Sequence, residues 1–238
     1  MKLGLISDVH GNKVALDTVW RKLQYEHHVD ETACAGDIVG VLGWPEDTAN
    51  FIKENVDHVV YGNHDAYVRE DHAYTPTDPV SKQEHHFVSS KLTEQTVDWL
   101  NSLPAQVEIG EDVVMAHAKP WSDNPSGHPA NNYLDMGDWI EWSSSESEFT
   151  DQIVVTGHTH EQGALDLSKF EGQDGMIVNP GSLGQPYHQD AKYAILDTDS
   201  REVELHRLYF DGGEVKRQID KLGLKSADSL KKQSTYTF

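Results

Sequence analysis

A series of metal-ligand residues, each set directly after a short apolar run, constrains this chain more than any other feature. The members are Asp8-Val9-His10, Gly36-Asp37, Gly62-Asn63-His64-Asp65, His117 and Gly157-His158-Thr159-His160. Apolar runs of that length read as strands. The series therefore puts carboxylate, amide and imidazole groups on loops leaving strand ends, where open α/β sheets build their sites. One such cluster would carry little weight, but five in order describe a metal centre. Oxygen and nitrogen donors without thiolate suit hard or borderline divalent ions such as Mn, Fe, Ni or Zn.

The intervening segments supply the scaffold. A strand over 2–7 is followed by a helix over about 12–24, whose Leu16, Val19, Trp20 and Leu23 share one face. Strands at 32–35 and 59–61 follow, separated by a helix opening at Pro45-Glu46-Asp47, with proline near its first position and acids in its first turn. Three strand–loop–helix steps argue for an α/β sheet. Helices are predicted over 81–92, 93–103 and 215–222. Strands at 106–109, 113–117, 153–156, 176–178, 193–197 and 202–210 supply a second sheet. With no long low-complexity linker, the whole chain, 1–238, is expected to be one domain. Residues 66–80 read as loop. The loop-rich insert 119–150, with a short helix near 133–142, is expected to wall the site, and 225–238 to form a mobile tail.

Charge is the second constraint. Forty Asp and Glu face 19 Lys and Arg, a formal charge of −21, and the acids are scattered through the chain. Mean hydropathy is −0.61. Dispersed acidity of this kind resembles that of cytoplasmic proteins of halophiles, where a screening length of about 3 Å at molar salt removes the self-repulsion. No apolar stretch reaches the roughly 18 residues of a spanning helix, and the start is too polar for a signal peptide, so a soluble cytoplasmic protein is expected. A single cysteine, Cys34, rules out an internal disulfide framework and reads as strand packing.

The order D-x-H, GD, GNHD, H, GHTH resembles the calcineurin-like metallophosphoesterase superfamily. With the GDIVG block and the VNPGSLGQP segment, it is similar to the small bacterial and archaeal phosphodiesterases grouped with diadenosine tetraphosphatase-like proteins. The resemblance implies a four-layer α/β/β/α sandwich of two mixed sheets flanked by helices, with two divalent ions, Mn foremost and Ni, Fe or Zn as alternatives. It implies that Asp8, His10 and His160 hold one ion, that Asn63, His117 and His158 hold the other, and that Asp37 bridges them. It implies further that His64 protonates the leaving oxygen, that Asp65 orients a neighbouring histidine ring, and that metal-bound hydroxide is the nucleophile. Independently of the family, Asp8 and His10, one residue apart, would point to the same face in extended backbone and grip one ion, and His158 and His160 would repeat that arrangement. Ala118 departs from the glycine that the family commonly has after the histidine at 117.

Other residues carry less. Asn12 would steady the first loop or open the helix. Ser182, in the turn-rich segment 179–186, would touch a phosphate or support His160. His27, His28, His58, His85, His86, His128 and His206 read as surface or packing residues. Trp121, Tyr133, Trp139 and Trp142 in the insert could stack a nucleobase or pack under the loop. Basic residues are scarce there and the surface is negative, so extended nucleic acid is disfavoured as a partner against a small phosphoester. The expected activity is a phosphodiesterase. A phosphomonoesterase, a nuclease and a non-catalytic protein-binding scaffold are the alternatives, and homo-oligomerisation stays open.

Overall fold

A computed structural model describes residues 1–68, 76, 78–120, 151–169, 174–185 and 190–234. The first half alternates strand and helix: β1 (Lys2–Ile6), α1 (Lys13–Lys22), β2 (Glu31–Cys34), α2 (Pro45–Asn55), β3 (His58–Val59) and the single turn α3 (Asn63–Ala66). Helices α4 (Pro79–Lys91) and α5 (Glu94–Ser102) follow. Strands then dominate: β4 (Gln106–Ile109), β5 (Val113–Ala116), β6 (Ile153–Val155), β7 (Gly163–Asp166), β8 (Met176–Asn179), β9 (Ala191–Asp197) and β10 (Glu202–Leu208). Two helices, α6 (Gly212–Leu222) and α7 (Ala227–Ser234), complete the described chain.

The strands form two five-stranded mixed sheets, ordered β10-β9-β1-β2-β3 and β4-β5-β6-β8-β7. In the first, β1, β2 and β3 run parallel and β9 pairs antiparallel to both β1 and β10. In the second, β5, β6 and β8 run parallel, with β4 and β7 as antiparallel edges. The two-residue period of a strand explains the layers. Leu3 and Leu5 of β1 point to one face, where they meet Ala33, Val113, Met115, Ile153, Val155 and Val178 between the sheets. Ile6, Cys34 and Ile195 point to the other face, against Leu16, Val19, Ile52, Val215 and Ile219 of the flanking helices. The result is the α/β sandwich of two mixed sheets flanked by helices. Burying side chains such as Leu3 and Leu5 completely stabilises the fold by about 1.5–3 kcal/mol each.

Several elements differ from the sequence expectation. The helix predicted to run to 24 is α-helical only to Lys22 and then widens into a π-turn over Leu23–His27, closed by His28 in left-handed backbone (φ 49°). Strand β7 has only two apolar residues, Ala164 and Leu165, and no sequence pattern announces it; its pairing with β8 makes it a strand. The segment expected as a tail carries α7, whose Leu230 is buried against the helical core. Cys34 is buried in β2 as strand packing requires. Residues 121–150, which hold most of the predicted insert, its helix and the four aromatics Trp121, Tyr133, Trp139 and Trp142, lie outside the described residues.

Candidate metal centre

The C-terminal ends of the parallel strands of both sheets converge. Asp8 and His10 follow β1, Asp37 follows β2, Asn63 and His64 follow β3, His117 follows β5, and His158 and His160 follow β6. Backbone hydrogen bonds continue beyond the sheet and lock these loops to one another: Asp8 N–H donates to the Gly36 carbonyl, His10 N–H to Asp37 and Gly157 N–H to His117, each at 2.9 Å.

Two groups of donor atoms result. In the first, His160 Nε2 lies 3.1 Å from His10 Nε2 and 3.2 Å from Asp8 Oδ1. In the second, Asn63 Oδ1 lies 3.2 Å from His117 Nε2 and 3.0 Å from His158 Nδ1. Asp37 stands between them: its Oδ2 is 3.7 Å from His10 Nε2 and 3.4 Å from His117 Nε2, while its Oδ1 accepts the His64 backbone N–H at 2.8 Å. The expectation that neighbouring ligands meet through extended backbone is overturned, because Asp8, His10, Asp37, His158 and His160 all have positive φ, between 50° and 67°. The loops turn sharply instead. His158 and His160 accordingly divide between the two groups.

The donor set fits divalent cations. His117 Nδ1 donates to the Ala35 carbonyl (2.6 Å) and His160 Nδ1 to that of Gln185 (2.9 Å), so each ring turns its Nε2 lone pair toward further lone pairs. Asp8 Oδ1 and His10 Nδ1 are buried and, among the described residues, have no hydrogen-bond partner. Electron pairs facing one another in a buried site call for positive charge. Without a cation the electrostatics show the same demand. Burial works against charge on His117, yet Asp37 beside it raises its pKa to about 9. Burial likewise pushes Asp37 up, but His117 and His64 hold it well below the usual carboxylate range. Burial and then His64 depress His10 to about 3, and burial and then His117 depress His158 to about 4, leaving neutral imidazoles able to coordinate. Asp8-His10-His160 and Asp8-Asp37-His117 each place one ligand atom per residue within 4.8 Å of the others.

The remaining predicted site residues take particular places. His64 is half-buried, its ring edge-on to His10 with centroids 4.7 Å apart, and it also falls within 4.8 Å ligand reach of His10 and Asp37. It borders a cavity of about 270 Å³ lined also by Val39, Val41, Tyr67, Val68 and Val88. Asp65 requires a correction. Its carboxylate accepts the backbone N–H groups of Ile38, Val39 and Gly62, and among the described residues it makes no hydrogen bond to a histidine ring. It ties the Asp37 loop to the Asn63 loop. Burial, then the charge of Asp37, raises it to about 7 against the pull of those amides. Asn12 opens α1, its side-chain oxygen accepting Ala15 N–H at 3.1 Å. Ser182 is fully buried. Its hydroxyl donates to the Asp8 carbonyl and accepts Gln185 N–H, and thus buttresses both Asp8 and the carbonyl that orients His160. Asn179, in the same segment but given no role of its own by the sequence, donates to the Gly157 carbonyl at 2.8 Å and steadies the same loop. Its sequence signal is its place in the turn-rich VNPGSLGQP segment, ahead of Pro180-Gly181.

Parallel strands of two facing sheets deliver His, Asp and Asn to a common rim, a class of α/β sandwich with a candidate metal centre between strand ends. A model of the calcineurin-like phosphoesterase superfamily domain matches residues 1–201, and the chain belongs to that metal-dependent family of phosphoesterases. An uncharacterised protein of Methanocaldococcus jannaschii is 26% identical over 92% of this chain and 91% of its own length. The crystal structure of a metallophosphoesterase from Sphaerobacter thermophilus is similar at a TM-score of 0.76 and 26% identity, covering 98% of this chain and 97% of the other. That of a hypothetical protein from Pyrococcus horikoshii shares the fold at a TM-score of 0.79 and 15% identity, covering 99% of each chain.

Proposed function

We propose that this chain, acting as one domain, is a dinuclear metal-dependent phosphodiesterase that hydrolyses a small phosphodiester or nucleotide. The observation that carries the reading is the pair of donor groups sharing Asp37. Asp8, His10 and His160 would hold one ion, Asn63, His117 and His158 the other, and Asp37 both. Mn is the ion expected first, since a mixed oxygen and imidazole set also suits Ni, Fe and Zn but places no thiolate. Two ions bound there would supply Lewis-acid polarisation of the phosphoryl oxygens and a water ionisable near neutral pH.

The protein's own contribution begins with His64. Its backbone is fixed by Asp37 and its ring by His10, which leaves the imidazole at the mouth of the neighbouring cavity. From there it donates a proton to the leaving oxygen, while the cavity takes the leaving group. Asp65 acts as a positioning residue, holding the Asp37 and Asn63 loops in register through three backbone amides. The dispersed negative charge fits a halophile's cytoplasm and a small substrate in place of extended nucleic acid.

Purified in high KCl and loaded with Mn or Ni, the protein is expected to hydrolyse bis-p-nitrophenyl phosphate. A panel adding a monoester, a dinucleoside polyphosphate and single-stranded DNA places the preference. His64→Ala should lose about 10²- to 10⁴-fold in kcat with metal content unchanged. Unaltered turnover in that variant would refute the acid role, and full metal occupancy without turnover on any ester would refute the enzyme.

A further inference from the structure

The π-turn at the end of α1 has a consequence on the sheet edge. Such wide turns are rare in helices and frequently lie at functional sites. Here the turn, closed by left-handed His28, swings His27 onto the outer strands β9 and β10. Glu204 and His206 lie two apart on β10 and so share a face, and Tyr193 is the ladder partner of His206. The rings of His27 and His206 are 4.5 Å apart between centroids. One ring nitrogen of each and a carboxylate oxygen of Glu204 fall within 4.8 Å of one another. None of these residues belongs to the centre described above.

We infer that His27, Glu204 and His206 form a second divalent-metal site, suited to Zn, Ni or Cu(II), that staples the end of α1 to the edge of the first sheet. Two imidazoles and one carboxylate are the donor set these borderline ions select. Tetrahedral coordination with bonds of about 2.0–2.2 Å places ligand atoms roughly 3.4 Å apart. The three side chains need close by little more than an ångström. They are free to do so, since the side chains of Glu204 and His206 are 62% and 27% exposed.

The site is also organised beforehand. Tyr193 is 3% exposed, and its hydroxyl lies 3.0 Å from His27 Nε2 while its ring stacks on His206 at 4.9 Å and 14°. Burial pushes the phenol up to about 12, so the hydroxyl stays neutral and can accept Nε2–H of His27, the tautomer that leaves the Nδ1 lone pair for a cation. The contact between His206 Nε2 and Glu204 Oε2, at 3.1 Å, resembles the pairing a shared cation would tighten. Burial first, then His206, lowers the pKa of His27, which favours the neutral ring that coordinates metal. A surface at −21 also concentrates divalent cations around it.

Chelator-treated protein in high KCl, dialysed to equilibrium against Zn, tests the site. Wild type should bind one more equivalent than His206→Gln, with at least 100-fold weaker binding of that equivalent in the variant. Zn should also raise the unfolding temperature of wild type beyond that of the variant. Turnover of bis-p-nitrophenyl phosphate by the Mn-loaded proteins should not change. Equal Zn stoichiometry in the two proteins overturns the inference. Should His206→Gln fail to fold, Glu204→Gln, at an exposed edge position, reads the same difference.

Discussion

Five of the seven candidate ligands, Asp8, His10, Asp37, His158 and His160, keep their backbones in the left-handed region. Such conformations cost non-glycine residues of the order of 1 kcal/mol or more and persist where the surroundings over-determine them. Here the surroundings are interlocked strand-end loops. Gly62 and Gly157 make the close approach feasible, because a Cβ on Gly62 would overlap the Asp37 carboxylate and backbone, and one on Gly157 would overlap Ser7 and Asp8. Gly62→Ala is therefore expected to displace Asp37, weaken Mn binding at least 10-fold and lower stability by about 1–3 kcal/mol. A metal titration with a parallel urea melt checks both, and an unperturbed Mn affinity would show that Asp37 does not join the two groups. That these side chains meet was legible at this scale because each follows a strand end. Their backbone was not, since extended and left-handed conformers place i and i+2 side chains differently and only the neighbouring loop decides between them. Nor was the environment of Asp65 legible, because its partners are amides that any sequence could supply.

At the scale of elements, two helix starts are coupled by one carboxylate. Glu46, in the first turn of α2, accepts from the backbone N–H and hydroxyl of Thr93, the N-cap of α5, and from the hydroxyl of Thr96. Burial pushes Glu46 up, but these hydrogen bonds, with one from Asn50, outweigh it and hold its pKa below the ordinary 4.5. A depressed carboxyl pKa adds stability that is complete above the unfolded value and lost as pH falls through the folded one. Glu46→Gln should therefore lower the urea midpoint at pH 7, by the equivalent of about 0.5–1 kcal/mol for a partly exposed cap. The gap should close below about pH 4, and a gap independent of pH would show that the charge is not involved. Sequence pattern found the helices with strong apolar stripes and proline starts, such as α1 and α2. It missed β7 and misjudged α7, because a short edge strand and a polar helix are stabilised by the partner they pack on, which local composition does not reveal.

Over the whole molecule the dominant quantity is charge. At −21, self-repulsion opposes the compact state, and screening falls from about 10 Å at 0.1 M salt to about 3 Å at 1 M. The urea midpoint should rise steeply with KCl up to molar concentrations and then level off, whereas equal midpoints at low and high KCl would reject the halophilic reading. The same scale separates what each level of description fixed. Strand-ending motifs and their order carried the family resemblance and the two-sheet layout by themselves, because strand alternation and side-chain chemistry are local properties. The tertiary structure alone decided that Asp8, His10, Asp37, His158 and His160 take left-handed backbone, that Ser182 is buried behind Asp8, and that His27 meets Glu204 and His206 across more than 170 positions. Those contacts arise where loops and sheet edges pack, and packing joins residues whose separation along the chain carries no signal.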